Sequence, residues 1–276
     1  MKPLTLLVFA LSLVISDLAQ ATRPVPVELW RLDCGALQVD DLNAYSDTYA
    51  YVGKSARFTV SCYLIKHGDT YMLWNTGLPD EDLGLPLAGA GSKGESLQKS
   101  LPDQLASVGV DPKQIAIIGI SHYHTDHTGQ AHHFPQARLL MGKGDITVLQ
   151  TPGNARAKPL ENWIGGAGVI EEIVGDKDVF ADQTVVMLDL PGHTPGHHGL
   201  LIKLSRQGYV LLSGDLAHFR ENYVDDGVPA FNVDRAQSLA SIVRFKAIAK
   251  NLHATVIIEH DDRDIGKLPA FPDFAQ

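Results

Sequence analysis

Three histidines and an aspartate lie within six consecutive positions, at His122, His124, Asp126 and His127. They directly follow the apolar run 115–120, whose short length is typical of a buried strand. Neutral imidazole and carboxylate are the ligands that zinc and similar divalent ions accept. A loop leaving a strand can direct His122 and His124 to one side while Asp126 and His127 reach a second centre. The segment therefore predicts a metal site, the alternative being a solvated polar loop.

Side chains of the same ligand types follow three further apolar runs, at His193, Asp215 and His260. Each alone is weak evidence, because a single histidine at a strand end usually has a structural role. Four strand ends that deliver His or Asp to one side of a sheet are hard to explain by structure alone. The predicted ligand set is His122, His124, Asp126, His127, His193, Asp215 and His260.

The elements that would position these residues follow from the pattern of apolar residues. A long loop over 35–56 carries Tyr45, Tyr49 and Tyr51. Hairpins alternating with helices suggest two mixed sheets packed face to face with helices outside. No repeat or polar linker divides the chain, so we expect one domain over 22–276. Strands are predicted over 27–32, 57–66, 70–74, 115–120, 138–141, 185–190, 200–204, 209–212 and 255–258, and helices over 96–108 and 234–251.

The first 21 residues have the pattern of a signal peptide. Lys2 precedes the apolar stretch 4–15, and Ala19-Gln20-Ala21 supplies a cleavage site, so the mature chain would begin at Thr22. An uncleaved anchor helix is the alternative, which Asp17 disfavours by interrupting the apolar run. We therefore expect a periplasmic or secreted protein without a stable membrane span after processing.

Composition excludes some classes of partner. The formal net charge of -9, with no cluster of Lys and Arg, argues against a nucleic-acid partner. The two cysteines, Cys34 and Cys62, are too few to form the metal site. In an oxidising compartment they could pair, and two buried free thiols are an equal alternative.

The HxHxDH segment followed by distant His, Asp and His resembles the metallo-β-lactamase superfamily, along nearly the whole mature chain. The resemblance implies an α/β fold, an αβ/βα sandwich of two mixed β-sheets with helices on the outer faces. Within the superfamily the chain is most similar to N-acyl homoserine lactonases. By this similarity one ion is held by His122, His124 and His193, a second by Asp126, His127 and His260, and Asp215 bridges the two.

The chain departs from the family pattern at two positions. Asn75, in Asn75-Thr76-Gly77, stands where the family usually has aspartate. Asparagine can keep the hydrogen bond of that aspartate but not its charge, which affects how the metals are tuned. Lactonases of this type often carry tyrosine three residues after the bridging aspartate, where this chain has His218. An imidazole can donate the same hydrogen bond, so we expect His218 to polarise the substrate carbonyl.

The implied reaction is hydrolysis with two divalent ions, for which zinc suits the histidine-rich site best, although Mn, Fe and Co accept similar ligands. Such ions lower the pKa of a shared water to about 7. The predicted activity is opening of the lactone ring of N-acyl homoserine lactones (quorum quenching) by a metal-bridging hydroxide. Asp126 would carry a proton to the leaving alkoxide.

Several alternatives stay open on the sequence alone. One alternative is a β-lactamase, which Asp215 disfavours. A second is an aryl ester or phosphotriester hydrolase, which fits the same scaffold. A third is a metal-binding protein without activity, which a bridged, accessible pair of ions disfavours. The partner would be a small lactone or ester, and a homodimer is one alternative for the oligomeric state.

His67 and His253 are expected at the surface, and His197 and His198 as loop residues rather than partners that orient ligands. Candidates for an acyl-chain pocket, with core or dimer contacts as the alternative, are Tyr45, Tyr49, Tyr51, Phe58 and Trp163.

Overall fold

The computed structural model describes residues 25–89 and 91–276. The predicted signal peptide and its cleavage site lie outside the described residues. Within those two ranges, no helix combines the length and the apolar composition that crossing a membrane requires.

The strands of the described residues are β1 Val27–Val39, β2 Ala56–His67, β3 Thr70–Trp74, β4 Glu95–Ser96, β5 Ile115–Ile120, β6 Arg138–Gly142, β7 Ile170–Ile173, β8 Lys177–Asp178, β9 Val185–Asp189, β10 His198–Leu204, β11 Gly208–Leu212 and β12 Thr255–Ile257. The α-helices are α1 Leu101–Ser107, α2 Thr125–Thr128, α3 Lys143–Leu149, α4 Arg220–Val224 and α5 Arg235–Leu252. Short 3-10 helices lie at Leu42–Tyr45, Asp80–Asp82, Pro112–Gln114, Ala131–His133, Ala155–Leu160, Gly214–Leu216 and Asp262–Lys267.

Two mixed sheets form the centre of the fold. One has seven strands in the order β4-β1-β2-β3-β5-β6-β7, and the other has five in the order β12-β11-β10-β9-β8. Their facing sides bury a shared apolar core that includes Trp74, Met72, Met187 and Leu200. Helix α1 packs on the outer side of the larger sheet and α5 on the outer side of the smaller one. The predicted αβ/βα sandwich is confirmed.

Parallel pairing sets the position of the polar loops. Strand β3 pairs in parallel with β5, and β11 pairs in parallel with β12. Neighbouring parallel strands end at the same edge of a sheet, so the residues that follow them come together. Asn75 follows β3, the 121–127 segment follows β5, Asp215 follows β11 and His260 follows β12.

Several element bounds differ from the sequence prediction. Strand β1 continues to Val39, because its second half pairs with β2 beyond a bulge between Asp33 and Gly35, so the predicted long loop is shorter. Helix α1 begins at Leu101 rather than at residue 96, because the Ser100 hydroxyl caps it by accepting from the backbone of Asp103. Strand β7 was not predicted, since a four-residue edge strand leaves little periodic signal.

Cys34 and Cys62 form a disulfide bond between β1 and β2. Cys34 lies in the bulge of β1, and Cys62 pairs with Leu32 in the strand register, so the two Cα atoms are 5.7 Å apart. Between pairing and free thiols, the two alternatives that the sequence left open, the structure has pairing. The bond joins strands of the same sheet, and the two cysteines are 28 positions apart in the sequence.

Candidate metal centre

The ring nitrogens of His122, His124 and His193 meet at one point. His122 Nε2 lies 2.9 Å from His124 Nδ1, and His193 Nε2 lies 3.1 Å from each of the other two nitrogens. Burial lowers the pKa of all three imidazoles below the usual value, so they are neutral at pH 7. We call these three residues the first set.

A second group of ligand atoms lies on the other side of Asp215. His127 Nε2 and His260 Nε2 lie 3.4 and 3.6 Å from Oδ2 of Asp126. We call Asp126, His127 and His260 the second set. Burial alone would lower the pKa of His260, but Asp215 and Asp126 raise it to about 9. Burial would raise the pKa of the Asp126 carboxyl, but His127 and His260 outweigh burial and hold it below the usual value.

Asp215 faces both sets, one oxygen to each. Its Oδ2 lies 3.6 Å from His122 Nε2 and 3.4 Å from His193 Nε2. Its Oδ1 lies 3.2 Å from His127 Nε2 and 3.0 Å from His260 Nε2. A carboxylate in this position can share two cations. The structure therefore brings together all seven side chains that the sequence singled out as ligands.

The donor atoms fit divalent cations in type and arrangement. Three neutral ring nitrogens within about 3 Å of one another carry lone pairs that a single shared proton cannot satisfy, whereas a cation can. The buried Nε2 of His127 makes no hydrogen bond of good geometry among the described residues, although oxygens of Asp215 and Asp126 lie 3.2 and 3.4 Å away. Buried polar atoms are nearly always paired, so an orphaned one indicates a missing ligand.

Outer residues fix the rings that carry the ligand atoms. His193 Nδ1 donates to Oδ1 of Asn232 over 2.9 Å, and His260 Nδ1 donates to the carbonyl of Thr59 over 2.8 Å. Both bonds place a proton on Nδ1 and turn Nε2 toward the site, as ligation through Nε2 requires. Sequence reasoning missed Asn232 and Thr59, because their contacts depend on how the second sheet and α5 pack.

His197 is a buried support for Asp215 rather than the loop residue that the sequence favoured. Its Nε2 accepts the backbone N–H of Asp215 over 2.9 Å, so its Nδ1 carries the proton and donates to the carbonyl of Leu190, also over 2.9 Å. Gly214 makes this approach possible: its φ is +51°, and a Cβ there would lie 2.7 Å from His197 Nε2. His198 lies in β10 and bonds to the carbonyl of Gly196.

Asn75 is buried beside the second set. The backbone N–H of Ser121 donates to its Oδ1 over 2.9 Å, and its Nδ2 lies 3.0 Å from His127 Nδ1. The Ser121 hydroxyl lies 3.1 Å from His122 Nδ1 and 3.2 Å from His127 Nδ1. Asn75 thus keeps the expected hydrogen bond, here to the predicted ligand His127, but its side chain is the donor of that bond.

His218 contacts the bridging carboxylate rather than open solvent. Its Nε2 lies 3.1 Å from Oδ2 of Asp215, and burial lowers the pKa of its imidazole. The ring of Tyr45 packs edge-on against it, with centroids 4.7 Å apart. Burial, with the charges of Asp215 and Asp126, raises the pKa of the Tyr45 phenol, which therefore keeps its proton and can donate.

The remaining histidines stay apart from this centre. His132 and His133 lie 3.1 and 2.8 Å from one carboxylate oxygen of Asp80, in a separate cluster. His67 pairs with Asp182 and stacks on Phe180, and His253 is exposed at the end of α5.

A cavity of about 260 Å³, with apolar and charged walls, opens beside His260. Two of the predicted pocket residues, Tyr51 and Phe58, line it together with Leu42 and Phe219. The other three do not: Tyr45 packs against His218, Tyr49 is 76% exposed, and Trp163 is buried in the core outside the larger sheet. Charged residues at the cavity are Lys54, Arg57, Glu221, Asp261, Asp262 and Arg263.

Comparisons with known proteins agree with this geometry. A family model described as the metallo-β-lactamase superfamily matches residues 56–260. An N-acyl homoserine lactonase of Bacillus cereus is 29% identical over 232 residues, 80% of this chain and 89% of that protein. N-acyl homoserine lactonase AttM of Rhizobium radiobacter is 27% identical over 187 residues, 62% and 68% of the two chains. The solved structure of an N-acyl homoserine lactone hydrolase, with N-hexanoyl-L-homoserine bound at its catalytic metal center, matches with a TM-score of 0.75 and 25% identity, over 91% of this chain and 100% of that one.

Proposed function

The chain belongs to the metallo-β-lactamase superfamily, and from this membership we propose that it hydrolyses the lactone ring of N-acyl homoserine lactones. The observation that carries the proposal is the placement of Asp215, whose two carboxylate oxygens face two separate sets of histidine and aspartate ligands. The relatives named as N-acyl homoserine lactonases support the substrate class.

We assign one ion to the first set and one to the second set, with Asp215 shared between them. Zinc suits these imidazole and carboxylate ligands. When bound, the two ions would supply a hydroxide nucleophile at neutral pH and polarise the substrate carbonyl. The net reaction adds one water across the ring ester bond and yields one hydroxy acid.

Two side chains have roles in proton transfer and polarisation. Asp126 is ionised at neutral pH, so its carboxylate can take a proton and pass it to the leaving alkoxide oxygen. His218 is neutral and has a single N–H, on the Nε2 that faces Asp215 at 3.1 Å, so it donates to the carbonyl oxygen where that oxygen takes the place of Asp215 as its partner. The Tyr45 ring packs in a T-shaped contact against His218, which is buried.

The cavity beside His260 suits an apolar acyl chain. Its walls include Leu42, Tyr51, Phe58 and Phe219. The Phe58 ring stacks on His260 at 5.5 Å between centroids, and both side chains line the cavity, so the cavity borders the second set. A β-lactam or a phosphotriester has no long apolar tail to fill it, and we therefore rank those substrates lower.

The test compares three substrates on one purified, metal-loaded sample whose metal content is known from elemental analysis. We expect turnover of N-decanoyl homoserine lactone to exceed turnover of nitrocefin and paraoxon. Preferred hydrolysis of nitrocefin or paraoxon would replace the proposal with the corresponding alternative. No turnover at full metal loading would favour a metal-binding protein without activity.

We further propose that the chain is exported as a single hydrolase domain, residues 22–276, after cleavage behind Ala21. The Cys34–Cys62 disulfide supports an oxidising compartment, since such bonds rarely persist in the cytosol. The mass of the mature protein from a bacterial host that expresses the full chain tests this. We expect Thr22 at the N-terminus, and retention of Met1 in a membrane fraction would indicate an anchor instead.

A further inference from the structure

The orientation of the Asn75 amide is settled by its neighbours. The backbone N–H of Ser121 can only donate, and it lies 2.9 Å from one end of the amide, so that end is the oxygen. The NH₂ end then faces Nδ1 of His127 over 3.0 Å. Asn75 and His127 are both fully buried, so water does not offer another partner for this contact.

This contact determines which nitrogen of His127 carries the proton. The NH₂ of Asn75 can only donate, so this contact suits an Nδ1 that presents its lone pair and opposes a proton on that nitrogen, and a ring with one proton then carries it on Nε2. Yet Nε2 is the atom that faces Asp215 at 3.2 Å and Asp126 at 3.4 Å, within the second set. An ion can bind Nε2 only if the proton leaves that atom. The proton can leave the ring, or it can move to Nδ1, where the resulting N–H would face the NH₂ of Asn75.

The other supported histidines have the opposite arrangement. Asn232 presents its oxygen to Nδ1 of His193, because its own NH₂ donates to the hydroxyl of Ser238 over 2.9 Å. The carbonyl of Thr59 does the same for His260. In both rings the outer nitrogen is a donor to an oxygen, which is the arrangement that ligation through Nε2 requires. The Ser121 hydroxyl lies 3.2 Å from His127 Nδ1 and could accept a hydrogen bond from an N–H at that nitrogen. The NH₂ of Asn75 would still point at the same N–H.

We propose that Asn75 places the ring proton of His127 on Nε2 and thereby weakens the second set relative to the first, so that the protein binds its two ions with unequal affinity. The inference rests on the ligand assignment of the proposed function but not on the substrate. Its chemical basis is the direction of one buried hydrogen bond: an acceptor at position 75 would favour the ligating form of His127, and a donor opposes it.

The test is a titration of metal-free protein with Zn²⁺ in competition with a chromophoric chelator, without substrate. All proteins carry His132→Ala and His133→Ala, so that the Asp80 cluster does not add a third binding event. We expect one tight and one weaker ion. Asn75→Asp should tighten the weaker ion about 10- to 100-fold, the usual size of such outer contacts, and leave the tight ion unchanged. Asn75→Gly, which removes the donor without adding an acceptor, should give a smaller gain. Asp and Gly both accept the left-handed backbone at this position, where φ is 59°.

Asn232→Asp is the matched control. It adds the same charge next to the first set, at a position whose oxygen already accepts from His193. We expect it to change affinity less than Asn75→Asp does. Equal affinities for both ions in the unmodified chain, an unchanged second ion in Asn75→Asp, or equal gains in the two aspartate variants would each overturn the proposal. Lactone turnover, measured separately, reports on the proposed function alone.

Discussion

The imidazole of His197 holds the backbone of Asp215: its Nε2 accepts the Asp215 N–H over 2.9 Å while its Nδ1 donates to the carbonyl of Leu190. Burial lowers the pKa of His197 to about 3, so the ring stays neutral and keeps an acceptor available. The residue that faces both ligand sets is thus held in place by a histidine that belongs to neither set.

Replacement of His197 should disturb both ions together. In His197→Ala the buried N–H of Asp215 and carbonyl of Leu190 lose their partner, at a cost of about 1–3 kcal/mol for each unpaired group. We expect a lower free energy of unfolding and less than two ions per chain, measured by urea denaturation and elemental analysis. His253→Asn is the control, since His253 is an exposed residue at the end of α5. Full metal content in His197→Ala would mean that Asp215 holds its position without this contact.

Removal of a ligand should remove metal and activity in parallel. His122→Ala deletes one ligand of the first set, and Asp215→Asn removes the negative charge shared by both sets. We expect turnover to fall at least about 100-fold, more than outer contacts usually cause. His67→Ala, at a His–Asp pair far from the site, should change neither quantity. Full activity in either ligand variant would contradict the metal assignment.

His218→Ala should slow turnover and leave metal content intact. Loss of one donor to a developing oxyanion costs about 100-fold or more in kcat, and substrate binding changes less. Loss of metal in this variant would mean instead that His218 serves to position Asp215, which it contacts at 3.1 Å. Tyr45→Phe removes the neighbouring hydroxyl and keeps the ring. A loss of kcat in Tyr45→Phe without one in His218→Ala would transfer the polarising role to Tyr45.

Asp145 should make stability depend on pH. Its carboxylate accepts from the Thr194 hydroxyl and the Gly196 N–H, and so holds the loop that carries His193. Burial raises its pKa to about 7, although these hydrogen bonds lower it. Between the unfolded pKa near 4 and the folded value, the folded state binds more protons than the unfolded state, so stability falls as pH rises through that window.

The comparison with Asp145→Asn isolates this effect, because other titrating groups are common to both proteins. At about 1.4 kcal/mol per pKa unit, the unmodified chain should lose up to about 4 kcal/mol relative to the variant between pH 4 and pH 7. Urea unfolding of both metal-free proteins at several pH values measures the difference. A difference that stays constant across this range would show that Asp145 does not titrate there.

The disulfide should stabilise the fold without affecting the metal centre. Replacing both Cys34 and Cys62 by serine should lower the free energy of unfolding by about 2–4 kcal/mol, mainly because the unfolded chain regains freedom across the 28-residue separation. Reduction of the unmodified protein with a thiol should reproduce the loss. Equal stability of the oxidised protein and the double variant would contradict this expectation.

Local patterns in the sequence were sufficient to predict the side chains that cluster in the structure. His122, His124, Asp126 and His127 are close in sequence, and a short apolar run before each ligand group marks a strand end whatever the rest of the chain does. Because parallel strands end at a common edge, the residue types and their positions after strands together predicted a shared centre. The family resemblance added the sandwich architecture and the division of the ligands into two sets.

Only the tertiary structure decided how those ligands are held. The bond from Asp215 to His197, the donation from Asn75 to His127 and the oxygen that Asn232 offers to His193 link residues 18, 52 and 39 positions apart. Such contacts depend on the register of two sheets and on which end of an amide faces a ring, and neither leaves a periodic signal. The pairing of Cys34 with Cys62 and the extension of β1 likewise depend on the register of β1 and β2, and the burial of Trp163 depends on packing against the outer side of the larger sheet.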